Sequence, residues 1–350
     1  MAHPDTDRPT GGVWLDRLSD YDYVLPEELI AQTPLQDRSA SRLMWLRLDG
    51  GIEHRSFVDV VEILKPGDLL VMNDTRVSAI RLYGKKMTGA AVEALLLRET
   101  APACYEALVK PAKRLRIGAA ISFADGLAAS VVGELEDGIK VLEFKPVENF
   151  RERLAKVGLT PLPPYIHEIL QDKERYQTVY GTVGGSAAAP TAGLHFTPEL
   201  LGRLDERGIE TAKVTLHVGI DTFRPVQVED LDQHRMHGEN CSVTDATVEM
   251  VRKCSGRVIA VGTTTVRTLE SFADGPRQLR TGSMDSRLFI RPGFRFQIID
   301  GMFTNFHLPR TTMLTMISAL ARRERILDAY REAVAANYRF LSFGDSMLIL

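Results

Sequence analysis

A histidine stands inside Pro190-Thr191-Ala192-Gly193-Leu194-His195-Phe196-Thr197, a short polar stretch that ends where a helix should begin. Thr197-Pro198-Glu199 explains itself as a helix start, with a hydroxyl cap, a proline in the first turn and an acid at the positive end of the dipole. The cap leaves Thr191, Gly193 and His195 without a task. A polar loop before a helix N-terminus can hold an anionic or polar ligand; an ordinary turn around a satisfied histidine is the plain alternative. Asn73-Asp74-Thr75-Arg76 brings an amide, an acid and a guanidinium together after an apolar run. Arg76 can clamp a carboxylate or phosphate and Asp74 can bind ribose hydroxyls or an amine, or the two can simply close a turn.

Three more clusters join these. Val214–Gly219 carries His217 and leads into Asp221-Thr222-Phe223-Arg224-Pro225, followed by His234, His237 and Glu239. The His234–His237 spacing resembles that of metal ligands on a helix. No HExxH-type pattern supports a metal, and acid–base work by His237 or Glu239 is the better reading. Gly262-Thr263-Thr264-Thr265-Val266-Arg267 places three hydroxyls at a helix start, an anion cradle that is neither a dinucleotide fingerprint nor a P-loop. Thr304-Asn305-Phe306-His307 again sets a histidine and an amide beside an aromatic. Phe306 and Phe196 can flank a purine, or fill the core as buried aromatics usually do.

The elements that must hold these clusters read as a mixed α/β main domain with an inserted small β-barrel. Residues 1–18 are expected to be a flexible tail. The α/β domain is expected over 19–76 and 151–350, and the barrel over 77–150. In the first part Leu25–Ile30 starts a short helix, Ser41–Leu48 is a strand turned back at Asp49-Gly50-Gly51, and Leu69–Met72 is a buried strand. Val92–Leu97, Tyr105–Val109, Ala120–Phe123, Ala128–Leu135 and Ile139–Phe144 are short strands with Asp-Gly turns among them, the pattern of a small barrel. Beyond residue 151 helices are expected at 198–208, 244–254, 266–272, 312–321 and 324–337. Strands are expected at 211–218, 257–261, 294–299 and 346–350. The alternation implies helices packed on a partly parallel sheet, whose strand ends would carry the polar clusters.

Composition sets outer limits. A chain of 350 residues, 44% hydrophobic and 25% charged, is that of a soluble globular protein with room for two domains. No apolar run reaches membrane-spanning length, and the N-terminus lacks a secretion signal. Three cysteines without a CxxC pair point to a reducing cytoplasm. A net charge of −3 predicts no nucleic-acid partner on average. Lys110, Lys113, Arg114 and Arg116 nevertheless make a basic cluster that can follow a phosphate backbone or be a solvated face.

Taken together and in order, these segments resemble one family, S-adenosylmethionine:tRNA ribosyltransferase-isomerase of queuosine biosynthesis. The matching text is YDYVLPEELIAQTPLQDRSASRL, LLVMNDTRV, ALVKPAKRLR, RYQTVY, AAPTAGLHFT, VTLHVGIDTFRPV, MHGE, VIAVGTTTVRTLES, TNFHLPRTT and YRFLSFGDSMLIL. The resemblance implies an α/β domain with an inserted barrel. It also implies transfer and isomerisation of the ribosyl part of S-adenosylmethionine onto 7-aminomethyl-7-deazaguanine at the tRNA wobble position, giving epoxyqueuosine-tRNA, adenine and methionine. S-adenosylmethionine is then a consumed donor, and no cofactor or metal is expected. Its partners are that donor and tRNA, with a monomer or weak homo-oligomer in the cytoplasm. A sulfonium makes the C5′ proton removable, so His195, His217 or His307 is expected to move a proton. Arg76 or Arg267 is expected to bind the methionine carboxylate, and Thr263–Thr265 to contact an anion. Asn73, Asp74, Thr191, Gly193, Phe196, Thr222, Arg224, Asn305 and Phe306 are expected to bind substrate, and the Lys110–Arg116 cluster to meet tRNA. The chain departs from the family at Asp221, where glycine is common, and at Gly181–Ser186, a glycine-rich stretch that suggests a mobile loop. A tRNA binder without catalysis and a metal hydrolase built on His234, His237 and Glu239 are the competing readings.

Overall fold

The computed structural model describes residues 16–219 and 226–350. Its strands are β1 (Arg42–Leu46), β2 (Ile52–Ser56), β3 (Leu69–Asn73), β4 (Thr75–Val77), β5 (Ile80–Lys86), β6 (Ala91–Ala101), β7 (Cys104–Lys110), β8 (Ala120–Phe123), β9 (Ala128–Glu134), β10 (Lys140–Phe144), β11 (Val183–Ser186), β12 (Glu210–Leu216), β13 (Glu239–Val243), β14 (Val258–Val261), β15 (Ala273–Gly275), β16 (Gln278–Leu279), β17 (Gly282–Ser286), β18 (Gly301–Asn305) and β19 (Ser346–Ile349). Its helices are α1 (Val60–Ile63), α2 (Phe150–Val157), α3 (Pro198–Glu206), α4 (Asp245–Lys253), α5 (Thr263–Ser271), α6 (Thr312–Ala321) and α7 (Arg323–Ala335).

Nine strands form one sheet in the order β17-β13-β12-β3-β14-β18-β19-β1-β2. Its middle, β12-β3-β14-β18, is parallel throughout. These strands are apolar on both sides because both sides are covered. Leu69 and Val71 of β3 join the core under α5, α6 and α7, whereas Leu70 and Met72 join the core under α1 and α3. Parallel strands all end on one edge, so Asn73, Leu216, Val261 and Asn305 bring the chain's polar clusters to the same side of the molecule.

Between β4 and α2 the chain closes a separate barrel, β10-β7-β6-β5-β8-β9, entirely antiparallel. Leu82, Leu96, Val109, Ile121, Leu142 and Phe144 fill it, and Leu154 of α2 plugs onto the same core. The expected mixed α/β architecture with a small barrel is therefore present. All five anticipated barrel strands exist, and the sixth, β5, had not been anticipated.

Some elements differ from expectation. Residues 294–299, anticipated as a strand, form none. The backbone N–H groups of Gln297, Ile298 and Ile299 donate instead to the buried Glu270 carboxylate, at 2.9, 3.1 and 3.2 Å, and that competitor replaces a strand partner. Leu25–Ile30 makes only a single tight turn, at Glu27–Leu29. Helix α5 begins at Thr263 rather than 266, because Gly262 adopts φ +91° and lets the chain turn directly from β14 into the helix. Gly181–Ser186, anticipated as a mobile loop, contains β11, which is paired in parallel with β4. Strands β13 and β17 and helix α2 had not been anticipated.

Candidate active site

The polar edge of the parallel strands opens into two cavities that share Val226, Thr263, Thr264, Thr311 and Met313. The larger, about 490 Å³, is within the range of small-molecule pockets. Its wall runs from Ala188–Ala192 past Gly262–Thr264 to Thr304–Thr311, with Tyr165, Tyr176, Leu341 and Ser342 opposite. The smaller, about 120 Å³, is lined by His234, His237, Glu239 and Arg267 on one side and by Leu288, Phe289, Ile290 and Met316 on the other.

Thr263 and Thr264 occupy the first turn of α5, where N–H groups lack an intrahelical acceptor and the dipole is positive. The Thr264 hydroxyl is fixed by Asn73, whose Nδ2 donates to it at 3.2 Å and to Leu216 O at 3.0 Å. Asn73 Oδ1 accepts from Thr75 N and Leu216 N, so this fully buried amide is a bracket between β3, β12 and α5 rather than a ligand contact. Asp74 is likewise engaged, accepting from the Thr215 hydroxyl at 2.7 Å. Thr265 does not face the cavity; it is fully buried and its hydroxyl donates to Val261 O at 2.7 Å.

The three candidate histidines separate. His307 lines the large cavity, with Nε2 at 2.7 Å from the Thr304 hydroxyl and its main chain fixed by Tyr330. Burial pushes it down to about 4, so at neutral pH it is an uncharged imidazole. His195 is also pushed down to about 4 by burial, but it lies behind the cavity wall. Its Nδ1 is 2.8 Å from Ser41 Oγ and its Nε2 3.5 Å from Asn305 Nδ2, and it borders only a small crevice. Asn305 in turn accepts from the Thr191 hydroxyl at 2.8 Å, and both line the large cavity. His195 thus braces the wall from outside. His217, also lowered by burial, pairs with Thr75 Oγ1 at 2.9 Å and packs over Gly185; it lines neither cavity.

The other candidates sort in the same way. Phe306 is on the wall of the large cavity, while Phe196 is fully buried against Phe57 and Phe303 on the opposite side of the sheet, so the two cannot flank one ring. Gly193 is explained by packing: a Cβ there would lie 1.9 Å from the Tyr180 hydroxyl. Arg76 points to Glu174 in a 2.5 Å ion pair at the surface and lines neither cavity. Arg267 is on the smaller cavity but already neutralised, donating to Glu239 at 2.7 Å and to the carbonyls of His237 and Ser286. Neither arginine is a free carboxylate clamp. Thr222, Arg224 and Asp221 lie outside the described residues. Lys110, Lys113, Arg114 and Arg116 are exposed on the barrel, at the end of β7 and just after it. No group of His, Cys, Asp and Glu suited to a metal ion occurs among the described residues. Nor is any described helix long and apolar enough to cross a membrane.

Tyr165, Tyr176, Leu341 and Ser342 were not anticipated as site residues. RYQTVY and LSFGD are in the recognised text, but no spacing signal gives these residues a role; only the fold brings them to the cavity.

The chain matches the model of a family described as queuosine biosynthesis protein over residues 18–349. It is 54% identical over 340 residues to the S-adenosylmethionine:tRNA ribosyltransferase-isomerase of Symbiobacterium thermophilum, covering 95% of this chain and 100% of that one. Its identity to the protein of the same name from Pelotomaculum thermopropionicum is 53% over 339 residues, covering 95% and 99%. Among solved structures, the S-adenosylmethionine tRNA ribosyltransferase of Thermotoga maritima is 38% identical with a TM-score of 0.55, covering 95% of this chain and 100% of that one.

Proposed function

The chain belongs to the queuosine biosynthesis protein family, and from that premise we propose that it transfers and isomerises the ribosyl group of S-adenosylmethionine onto 7-aminomethyl-7-deazaguanine in tRNA, releasing adenine and methionine. The observation that carries this reading is the pair of joined cavities at the parallel strand ends. A transfer between two large reactants needs both held side by side, and the cavities meet at Thr263 and Thr264.

In this reading the large cavity takes S-adenosylmethionine. The N-terminal turn of α5, rather than Arg76 or Arg267, anchors the methionine carboxylate through the N–H groups and hydroxyls of Thr263 and Thr264. His307, neutral and on the cavity wall, is the histidine that accepts the C5′ proton made acidic by the sulfonium. Thr191, Asn305 and Phe306 shape the wall. The smaller cavity, with His237, Glu239 and Arg267, admits the deazaguanine. S-adenosylmethionine is consumed, so no cofactor is called for.

The barrel, as an insert over 77–150 in a catalytic domain of 19–76 and 151–350, carries the tRNA through Lys110, Lys113, Arg114 and Arg116. The test incubates the protein with S-adenosylmethionine and tRNA bearing the aminomethyl-deazaguanine, and measures adenine, methionine and the mass gained by the RNA. All three should appear together. RNA binding without any of them would leave the binding-only reading, and stoichiometric metal in the purified protein would favour the hydrolase.

A further inference from the structure

Tyr176 is fully buried, lines the large cavity, and its hydroxyl has no hydrogen-bond partner. Buried phenols ordinarily find one, and leaving one unmade costs about 1–3 kcal/mol. The Ala189 backbone and Ser342 lie near its oxygen. Ser342 Oγ in turn lies 2.7 Å from the Tyr165 hydroxyl. A phenol on the cavity wall with no partner of its own has its proton left for an acceptor that enters the cavity. Burial holds the group strongly protonated, so it can act as a donor but not as a base.

Ser342 is kept in place by an unusual backbone. Leu341 adopts φ +67°, a region that leucine rarely visits, and this costs about 1–3 kcal/mol. Leu341 N donates to Phe306 O at 3.1 Å, and Asn305 Nδ2 donates to Leu341 O at 3.3 Å. The strain is therefore carried by residues of the cavity itself.

We propose that the Tyr176 hydroxyl, backed by Ser342 and Tyr165, is a catalytic hydrogen-bond donor to a ring nitrogen of the adenine that leaves S-adenosylmethionine. The assignment rests on the reading of the large cavity as the S-adenosylmethionine site. When the C1′–N9 bond breaks, its electron pair stays on adenine. The proton given up at C5′ balances the one adenine takes up, and Tyr176 keeps its own. Its contribution is a hydrogen bond that strengthens as negative charge develops on the base.

The experiment compares wild-type protein with Tyr176→Phe, using S-adenosylmethionine and its 1-deaza, 3-deaza and 7-deaza adenine analogues, with modified tRNA as acceptor. Tyr176→Phe should release adenine about 10- to 100-fold more slowly, with an unchanged KM for tRNA and an unchanged or higher melting temperature. One deaza analogue should slow the wild type by a similar factor and slow Tyr176→Phe no further. Full activity of Tyr176→Phe, or equal and additive losses on every analogue, would overturn the assignment. Wild-type protein that releases no adenine from the parent donor would sink the proposed function itself, which this comparison keeps separate.

Discussion

The barrel and the strand-end cavity are built from the same chain on opposite terms. The barrel fills its interior with apolar side chains, such as Leu82, Leu142 and Phe144, pairs the buried Lys140 with Glu134, and leaves Lys113, Arg114 and Arg116 in solvent. The edge of the main sheet buries Asn73, Arg267, Glu239, His195, Asn305 and His307 and must satisfy them one by one. A satisfied apolar core tolerates change at its surface, whereas a buried polar network fails when one member is removed. The barrel is thus suited to recognition of a long anionic partner, and the sheet edge to chemistry that needs fixed groups away from water.

The largest effect that can sharpen this contrast is expected at Arg267. Arg267→Met removes the cation that balances the buried Glu239 carboxylate and should cost about 3–5 kcal/mol in urea unfolding, together with adenine release. In the barrel, Leu142→Ala should cost about 2–5 kcal/mol by the cavity that it leaves. At a temperature where that variant is folded it should still bind S-adenosylmethionine in calorimetry; loss of that binding would show that the two regions are not independent.

Acid should separate the regions next. His195 and His307 have folded pKa values lowered to about 4 from 6.5. The unfolded chain therefore binds more protons between those values, and stability rises with pH across that window. It is fully present above pH 6.5 and lost as pH falls toward 4, by roughly 3 kcal/mol for each histidine. Thermal melts from pH 4.5 to 7.5 should show this slope, reduced in His195→Gln and His307→Gln and unaltered in Leu142→Ala. Of these two histidine variants, only His307→Gln should abolish adenine release outright, since His195 braces a wall.

The smallest effect on the fold is expected on the barrel surface. Replacing Lys113, Arg114 and Arg116 by glutamine should leave the melting temperature unchanged. It should raise the KM for tRNA and flatten the salt dependence of RNA binding by about 2–3 in log–log slope. An unchanged slope would remove the tRNA from this face.

What the sequence made legible follows from where its signals are strong. β3, β14 and β19 are apolar runs bounded by turns, and Thr197 is a cap by its own chemistry, accepting from Leu200 N at 3.1 Å. β13 and β17 read Glu-Asn-Cys-Ser-Val and Gly-Ser-Met-Asp-Ser; they lie at one end of the sheet, and their apolar residues are too few to mark a strand. Residues 294–299 have the alternation but lose their backbone donors to Glu270, a partner that local pattern cannot reveal. At the site, the polar clusters were visible, but whether a residue faces the cavity or its back was not. His195 and Phe196 are adjacent to cavity residues in sequence and turned away from the cavity in space. Tyr176 was invisible for the complementary reason, since one phenol in a sequence shows no sign of what surrounds its oxygen.

The place of β19 in the sheet has a consequence for the order in which the molecule assembles. The hairpin of β1 and β2 can form early from neighbouring residues, yet it joins the sheet only through β19, where Leu43 meets Ser346. Pairings across so much chain are slow to form, and a two-stranded hairpin is marginal by itself. Until β19 arrives, β1 and β18 each present an unpaired edge, the kind that recruits other chains. Leu341 and Ser342 directly precede β19, so the cavity wall and the last seam of the sheet should become native in a single late step.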